Sequence, residues 1–239
     1  MRISTVEQLL DLLDNLTPQR SDATSSTASD EWAEILTRPG HPLNTALPDV
    51  NLPAWQAAGL LPDGAGRRAL DVGCGLGRNA HWLAARGWHV LGIDVSGPAL
   101  AVAADRSTDA RFAECDFLRD QVPGAPFDLV YDSGCFHHVA PHRRISYRTA
   151  LDRALAPGGL FGICTFTKGE MGSDAPDAEL LLSGGFGEGI GYTVGELADI
   201  FDDLGLLDGA PQADYTASIE IFSQPFLTAA LFERRRGPA

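Results

Sequence analysis

Basic residues are scarce in this sequence: 18 Lys and Arg stand against 32 Asp and Glu, a formal net charge of −14. Polyanion binding takes its affinity from cations that neutralise phosphates, so nucleic acids and anionic membrane surfaces are poor partners for this chain. The one basic run, Arg234 to Arg236, reads as a solvated tail. Long apolar runs are missing too, none approaching the ~20 residues of a membrane-spanning helix. Glu7, Asp11 and Asp14 interrupt the apolar residues near the N-terminus, which argues against a secretory signal core. Only four cysteines occur, Cys74, Cys115, Cys135 and Cys164, and none shows the C-x-x-C spacing of a metal knuckle. A chain of 239 residues buries enough core to do without disulfides, so reduced thiols and a cytoplasmic location are expected.

What is present suits an α/β domain. Val6, Leu9, Leu10, Leu13 and Leu16 recur at helical spacing behind a Ser4/Glu7 capping box, and Pro18 ends that helix. Residues 20–30 are rich in Ser and Thr and are expected to be flexible. Asn51 is placed to cap a helix carrying Leu52, Trp55, Leu60 and Leu61. Residues 1–65 therefore read as a helical extension or lid, and residues 66–239 as the main domain. From Ala69 onward short apolar strands alternate with helices, which predicts a doubly wound, mainly parallel sheet. Pro157-Gly158-Gly159 ends a helix begun at Arg143 and precedes a strand over Leu160 to Phe166. The glycine-rich stretch from Thr167 to Gly191 reads as a loop or a substrate cover. Thr193 and Glu196 form a second capping box for a helix reaching Asp203, and closing strands are expected near Ser218 to Phe222 and Phe226 to Phe232.

The stretch from Ala69 to Ser96, ALDVGCGLGRNAHWLAARGWHVLGIDVS, organises the rest. An apolar run reaches Asp71, Gly73, Gly75 and Gly77 make a turn, and Ala80, Trp82, Leu83 and Ala84 follow at helical spacing. Gly87 ends the helix and a second buried strand runs to Asp94, completing a βαβ unit. Glycines let a nucleotide-like ligand approach the backbone, and an acid at the second strand tip can accept both ribose hydroxyls. Dinucleotide sites carry G-x-G-x-x-G, whereas here Arg78 follows three alternate glycines. Asp71 would sit badly beside a pyrophosphate but suits a ligand bearing an ammonium group.

D-x-G-x-G-x-G with an acid-tipped second strand resembles motif I of the class I S-adenosylmethionine-dependent methyltransferases. GCGLGRN resembles the form found in tellurite-resistance and thiopurine-type enzymes, and DSGCFHHVAPHRRISY, APGG and GYTVGELADIF extend the likeness. The resemblance implies a seven-stranded, mainly parallel Rossmann-like sheet ending in an antiparallel pair, with Trp32 in a segment that closes over S-adenosylmethionine. It implies that Gly73 and Gly75 approach the methionine portion, and that Asp71 orients their loop or reaches the ammonium through water. Arg78 would pair with the methionine carboxylate, or else lie on a helix surface. Asp94, with Val95 beside it, would bind the ribose; Asp116 would meet the adenine amino group and Phe117 would supply an N–H and an apolar face. Asp132 and Ser133 would line the methionine end.

The implied reaction is methyl transfer to the sulfur, oxygen or nitrogen of a small aromatic or secondary-metabolite-like acceptor. His137 or His138 would be the general base, unless the pair is structural. Trp55, Phe136, Phe166, Met171 and Tyr192 would wall the acceptor pocket together with Phe186 and Phe222, or else pack the core. His137, His138 and His142 lack a carboxylate on a shared helical face, so no metal is expected. Asp132-Ser133-Gly134-Cys135 stands where DNA amino-methyltransferases place N/D-P-P-Y, which argues against a base as acceptor. A monomer or homodimer is expected. Three alternatives stay open: an enzyme that cyclises or rearranges the same cofactor, a nicotinamide or flavin oxidoreductase, and a non-catalytic sensor of the cofactor.

Overall fold

Five strands form the parallel part of the main sheet path: β1 (Arg68–Val72), β2 (His89–Asp94), β3 (Arg111–Glu114), β4 (Phe127–Ser133) and β5 (Leu155–Thr167). The structure is a computed structural model and describes residues 2–16, 23–106, 109–183, 189–213 and 220–235. β8 (Leu227–Glu233) runs antiparallel to β5, and β7 (Gly205–Pro211) antiparallel to β8, giving the order β3-β2-β1-β4-β5-β8-β7. A two-residue strand, β6 (Gly191–Tyr192), pairs with β5 off this path and makes the sheet eight-stranded. The seven-stranded path is thus present with one short addition.

Side chains of a strand alternate between faces, and both faces here are covered. Leu70, Val72, Val130 and Phe161 pack on one side with Phe136, Tyr147 and Phe201. Ala69, Leu129 and Tyr131 pack on the other with Leu52, Trp55 and Leu83. The helices that cover these faces include α3 (Asn51–Ala57), α4 (Arg78–Ala84), α5 (Gly97–Arg106), α6 (Arg144–Ala154) and α8 (Val194–Ile200). The Thr193/Glu196 capping box is formed, with Glu196 N–H donating to Thr193 Oγ1 at 3.1 Å and Thr193 N–H to Glu196 Oε2 at 2.9 Å.

Several boundaries differ from expectation. The penultimate strand lies at Gly205–Pro211, not near 218–222, because an edge strand with mostly exposed residues carries no alternating apolar signal. Residues 218 and 219 lie outside the described residues, and Phe222 makes only a bridge to Asp49. Pro157, Gly158 and Gly159 sit inside β5 rather than before it, where the register against β4 shifts between Phe127 and Leu129. Asn51 does not cap α3; its side chain is buried and donates to the Tyr131 hydroxyl at 2.9 Å. Of the stretch expected to be flexible, residues 20–22 lie outside the described residues, whereas Ser26–Ala28 form a 3-10 turn leading into α2 (Ser29–Thr37). Thr24 and Ala28 are buried there.

The first helix, α1 (Val6–Leu16), docks by its acids. Its start is held by Thr5 and Gln8, since Gln8 N–H donates to Thr5 Oγ1 and Ser4 N–H to Gln8 Oε1, and Glu7 turns instead to Arg143. Arg143 is fully buried and donates to Glu7 at 2.5 Å, to Asp11 at 2.6 Å and to Asp14 through Nε at 3.0 Å. His142 Nε2 lies 2.7 Å from Asp14 Oδ1. Positions 7, 11 and 14 share one helix face, so a single cation engages all three.

Candidate functional site

A cavity of about 540 Å³ opens along the carboxyl ends of β2, β1, β4 and β5, spanning the point where strand order reverses between β1 and β4. That is where open α/β sheets place their ligands. Its floor is the loop after β1. Gly73 has φ +62°, and a Cβ there would fall 2.7 Å from Cys135 Cβ, so only glycine lets the two loops meet. Gly75 has φ +51°, and its N–H donates to Asp94 Oδ2 at 2.8 Å. Ser96 N–H donates to Asp94 Oδ1 at 2.9 Å. Asp94 therefore clamps the glycine loop to the tip of β2, and each carboxylate oxygen keeps a lone pair beyond these bonds. Burial raises its pKa, while the N–H groups of Ser96, Gly75 and Val95 act in the other direction.

Asp71 is 1% exposed and lines the same cavity. Its Oδ2 has no hydrogen-bond partner. Burial pushes its pKa up to about 8 against the opposing pull of the Arg78 charge. A buried carboxylate oxygen without a partner is costly, and a cationic or N–H-bearing ligand in the cavity would relieve it. Arg78 also lines the cavity, but it is not a surface arginine: it pairs with buried Asp49, donates from Nη2 to Ser133 Oγ at 3.1 Å and stacks on Phe222 at 4.3 Å.

Val95, Ser133 and Phe117 border the cavity, and Asp116 and Asp132 do not. Asp116 follows a strand whose next side chain points inward, so its own turns away and accepts from Leu118 N–H and Arg119, each at 2.9 Å. Asp132 is buried beneath the β4 turn, accepting from Cys135 N–H at 2.9 Å, Phe136 N–H at 3.2 Å and the Tyr147 hydroxyl at 2.7 Å. Burial lifts its pKa to about 6 against these bonds. Both acids shape loops rather than face the cavity.

Phe166 and Met171 line the cavity, as does Phe222. Trp55, Phe136 and Tyr192 do not. Trp55 lies on the far face of the sheet with Nε1 donating to Asp208 at 2.7 Å, because α3 packs there. Phe136 is fully buried, its ring 4.7 Å from Tyr147 and 5.3 Å from Tyr192. Tyr192 accepts from Arg144 Nε at 3.0 Å through its hydroxyl. Phe186 lies outside the described residues. Trp32 of α2 does reach the cavity, its ring centre 4.9 Å from that of His138 in a T-shaped contact.

His137 and His138 both border the cavity. His137 stacks on Phe166 at 3.7 Å, its Nε2 lies 3.1 Å from His138 Nε2, and burial followed by the His138 charge hold its pKa well below the usual value. His142 turns away to Asp14. Among the described residues no three metal-binding side chains converge. Unforeseen lining residues include Leu36, Leu43, Gln224, Phe226 and Leu227, none of which belongs to a local motif. All four cysteines border the cavity as well.

Residues 69–159 match a methyltransferase domain family. The match is to a methyltransferase domain, and it falls within a sheet of the order β3-β2-β1-β4-β5-β8-β7. An uncharacterised methyltransferase of Schizosaccharomyces pombe is 37% identical over 86 residues, 34% of this chain and 59% of that one. The chain spans about half the length of the curated relatives it matches. The methyltransferase fold extends further. The N-methyltransferase NodS of Bradyrhizobium japonicum, solved with S-adenosylhomocysteine, superposes with a TM-score of 0.62 over 86% of this chain and 97% of that one at 17% identity. A TehB-like methyltransferase of Corynebacterium glutamicum gives 0.53 over 83% and 100%, at 24% identity. S-adenosylmethionine is the cofactor of such methyltransferase domains, and the glycine loop, the unpaired Asp71 oxygen and the Asp94 tip fit it. No helix among the described residues is long and apolar enough to cross a membrane.

Proposed function

We propose that this protein transfers the methyl group of S-adenosylmethionine to a nucleophilic sulfur, oxygen or nitrogen of a small, apolar or aromatic acceptor. The observation that carries this reading is the pair of buried carboxylates, Asp71 with an unpartnered oxygen and Asp94 with spare lone pairs, at the two strand ends that frame one glycine loop. When bound, the cofactor supplies an electrophilic methyl on a sulfonium.

The chain's own residues do the rest. Asp71 accepts the ammonium, and Gly73 and Gly75 keep side chains out of the methionine path. Arg78 and Ser133 offer donors to its carboxylate. Asp94 and Val95 receive the ribose, and Phe117 with Cys115 gives the adenine an apolar wall. Phe166, Met171, Phe222, Phe226 and Leu227 form the acceptor side, where aromatic and aliphatic surface predominates and excludes water from the transfer. Trp32 and Leu36 of α2 border the cavity beside the glycine loop, so α2 acts as the lid. The charge balance and the uncharged acceptor walls favour a small molecule over nucleic acid. Four free thiols in the cavity walls suit a reducing, cytoplasmic setting.

The test is ligand stabilisation followed by product mass. S-adenosylhomocysteine at 100 times its Kd should stabilise the protein by about 2.7 kcal/mol, NAD should not, and Asp94→Ala should abolish the shift. Stabilisation by NAD alone would overturn the proposal. Release of 5′-methylthioadenosine in place of S-adenosylhomocysteine would redirect it to cyclisation of the aminobutyrate arm.

A further inference from the structure

Asp49 belongs to no motif, lies 29 residues before Arg78, and is 0% exposed. Three donors converge on its carboxylate. Arg78 Nη1 reaches Oδ1, while Asn79 Nδ2 and the Tyr131 hydroxyl reach Oδ2 at 3.1 and 2.6 Å. Its own N–H donates to Asn79 Oδ1 at 3.0 Å. The network continues from Tyr131 to Asn51 at 2.9 Å and from Asn51 to Gln212 at 3.1 Å, so the acid is braced from α3, α4, β4 and the segment after β7. Such a fully bonded buried acid is rigid.

Rigidity at Asp49 has a directional effect on Arg78. Nη1 is occupied by Asp49 and, at 3.4 Å, by the Leu47 carbonyl. One face of the guanidinium is covered by Phe222, whose backbone pairs with the Asp49 strand: Val50 N–H donates to Phe222 O at 2.8 Å and Phe222 N–H to Pro48 O at 2.7 Å. Nη2 spends one N–H on Ser133 Oγ at 3.1 Å and has a second. Arg78 borders the cavity, and Ser133 sits at the end of β4 and borders it too. A long flexible cation is thereby held in one pose at the cavity wall, with one Nη2 N–H left over for a ligand.

We infer that Asp49 is a positioning residue for cofactor recognition: it holds Arg78 in the pose that receives the carboxylate of the methionine arm. The buried pair is close to neutral as a unit, so an arriving carboxylate is recognised by a fixed N–H rather than by net charge. Losing Asp49 frees the guanidinium and weakens only ligands that carry the arm. This rests on the cavity being an S-adenosylmethionine site.

The experiment compares S-adenosylhomocysteine with 5′-methylthioadenosine, which keeps the nucleoside and sulfur but lacks the aminobutyrate arm. Wild type should bind the first more tightly. Asp49→Asn should weaken S-adenosylhomocysteine at least tenfold and methylthioadenosine less than threefold, and in an Arg78→Met background Asp49→Leu should change the ratio no further. Tyr131→Phe, which removes one donor to Asp49 and leaves the ion pair, should lower the same ratio by a few fold and serves if Asp49→Asn does not fold. Equal weakening of both ligands, or an unchanged ratio in Tyr131→Phe, would overturn the role of Asp49. Failure of wild type to bind either ligand would instead strike the cofactor assignment itself.

Discussion

The Nδ1 atom of His137 accepts a hydrogen bond from the backbone N–H of Phe166 at 3.2 Å. That bond fixes the tautomer, leaving the proton on Nε2, which donates to Nε2 of His138 3.1 Å away. The lone pair a general base needs is already in use, and burial keeps the ring neutral. His137 therefore organises the turn and His138, rather than taking the proton of an acceptor. The expected result is a kcat/KM profile without a limb from His137 between pH 6 and 8. His137→Gln should cost less than the ~10²-fold that loss of a general base entails. A bell-shaped profile that His137→Gln erases would show otherwise.

Asp71 carries a proton at neutral pH when the cavity is free, since burial lifts its pKa to about 8. An ammonium group favours the carboxylate, so binding S-adenosylhomocysteine should release close to one proton at pH 6 to 7, and affinity should rise about tenfold per pH unit below pH 8. Calorimetry in buffers of different ionisation enthalpy measures the release, and Asp71→Asn should abolish it. The free protein shows the opposite trend. A carboxyl with a raised folded pKa stabilises fully below its unfolded value near 4, and this contribution fades as pH rises to about 8.

The acid face of α1 gives a stability prediction. Burial of Arg143 acts to lower its pKa, but Asp14, Glu7 and Asp11 hold the guanidinium charged. Partial burial acts to raise the Asp14 pKa, yet His142 and Arg143 hold it well below the usual carboxylate range. Stability from Asp14 is thus present above its unfolded pKa and lost as pH falls toward the depressed folded value. Arg143→Met should destabilise by about 2 kcal/mol, less than a fully buried pair because the carboxylates reach water, and lower Tm by ~4–8 °C. Proteolysis within residues 2–16 should accelerate in step.

Trp32 should report ligand entry. It borders the cavity with Nε1 donating to Ala23 O at 2.6 Å, whereas Trp55 and Trp88 are core residues and Trp82 lies under Arg86. S-adenosylhomocysteine should change the intrinsic fluorescence, and Trp32→Phe should remove most of the amplitude. An unchanged titration would place the ligand elsewhere.

The part of the site legible in sequence is the part made locally. Glycines at a forced φ and an acid at a strand tip are short-range requirements, so Gly73, Gly75 and Asp94 could be read directly. Whether a side chain beside a strand end faces in or out depends on one step of pleat, which explains why Asp116 and Asp132 turned away and Phe117 and Ser133 did not. Aromatic identity does not tell cavity wall from core: Phe166, near the end of β5, borders the cavity, and Phe136, three residues beyond the end of β4, is sealed among Tyr147 and Phe201. Asp49 was invisible because the donors to its carboxylate come from α4 and β4, far along the chain. β7 was invisible because GLLDGAP, half-exposed on the sheet edge, lacks alternation.

The four cysteines are spread from position 74 to 164, yet they meet around one hollow. Burial lifts the Cys115 thiol to about 11, with Asp120 and Asp116 adding to the effect, and raises Cys74 and Cys164 well above the ordinary value. Thiols held protonated are poor nucleophiles, so Cys74, Cys115 and Cys164 are difficult for a strongly alkylating sulfonium to alkylate. Chemical inertness of the container lets a reactive reagent wait there for its proper partner.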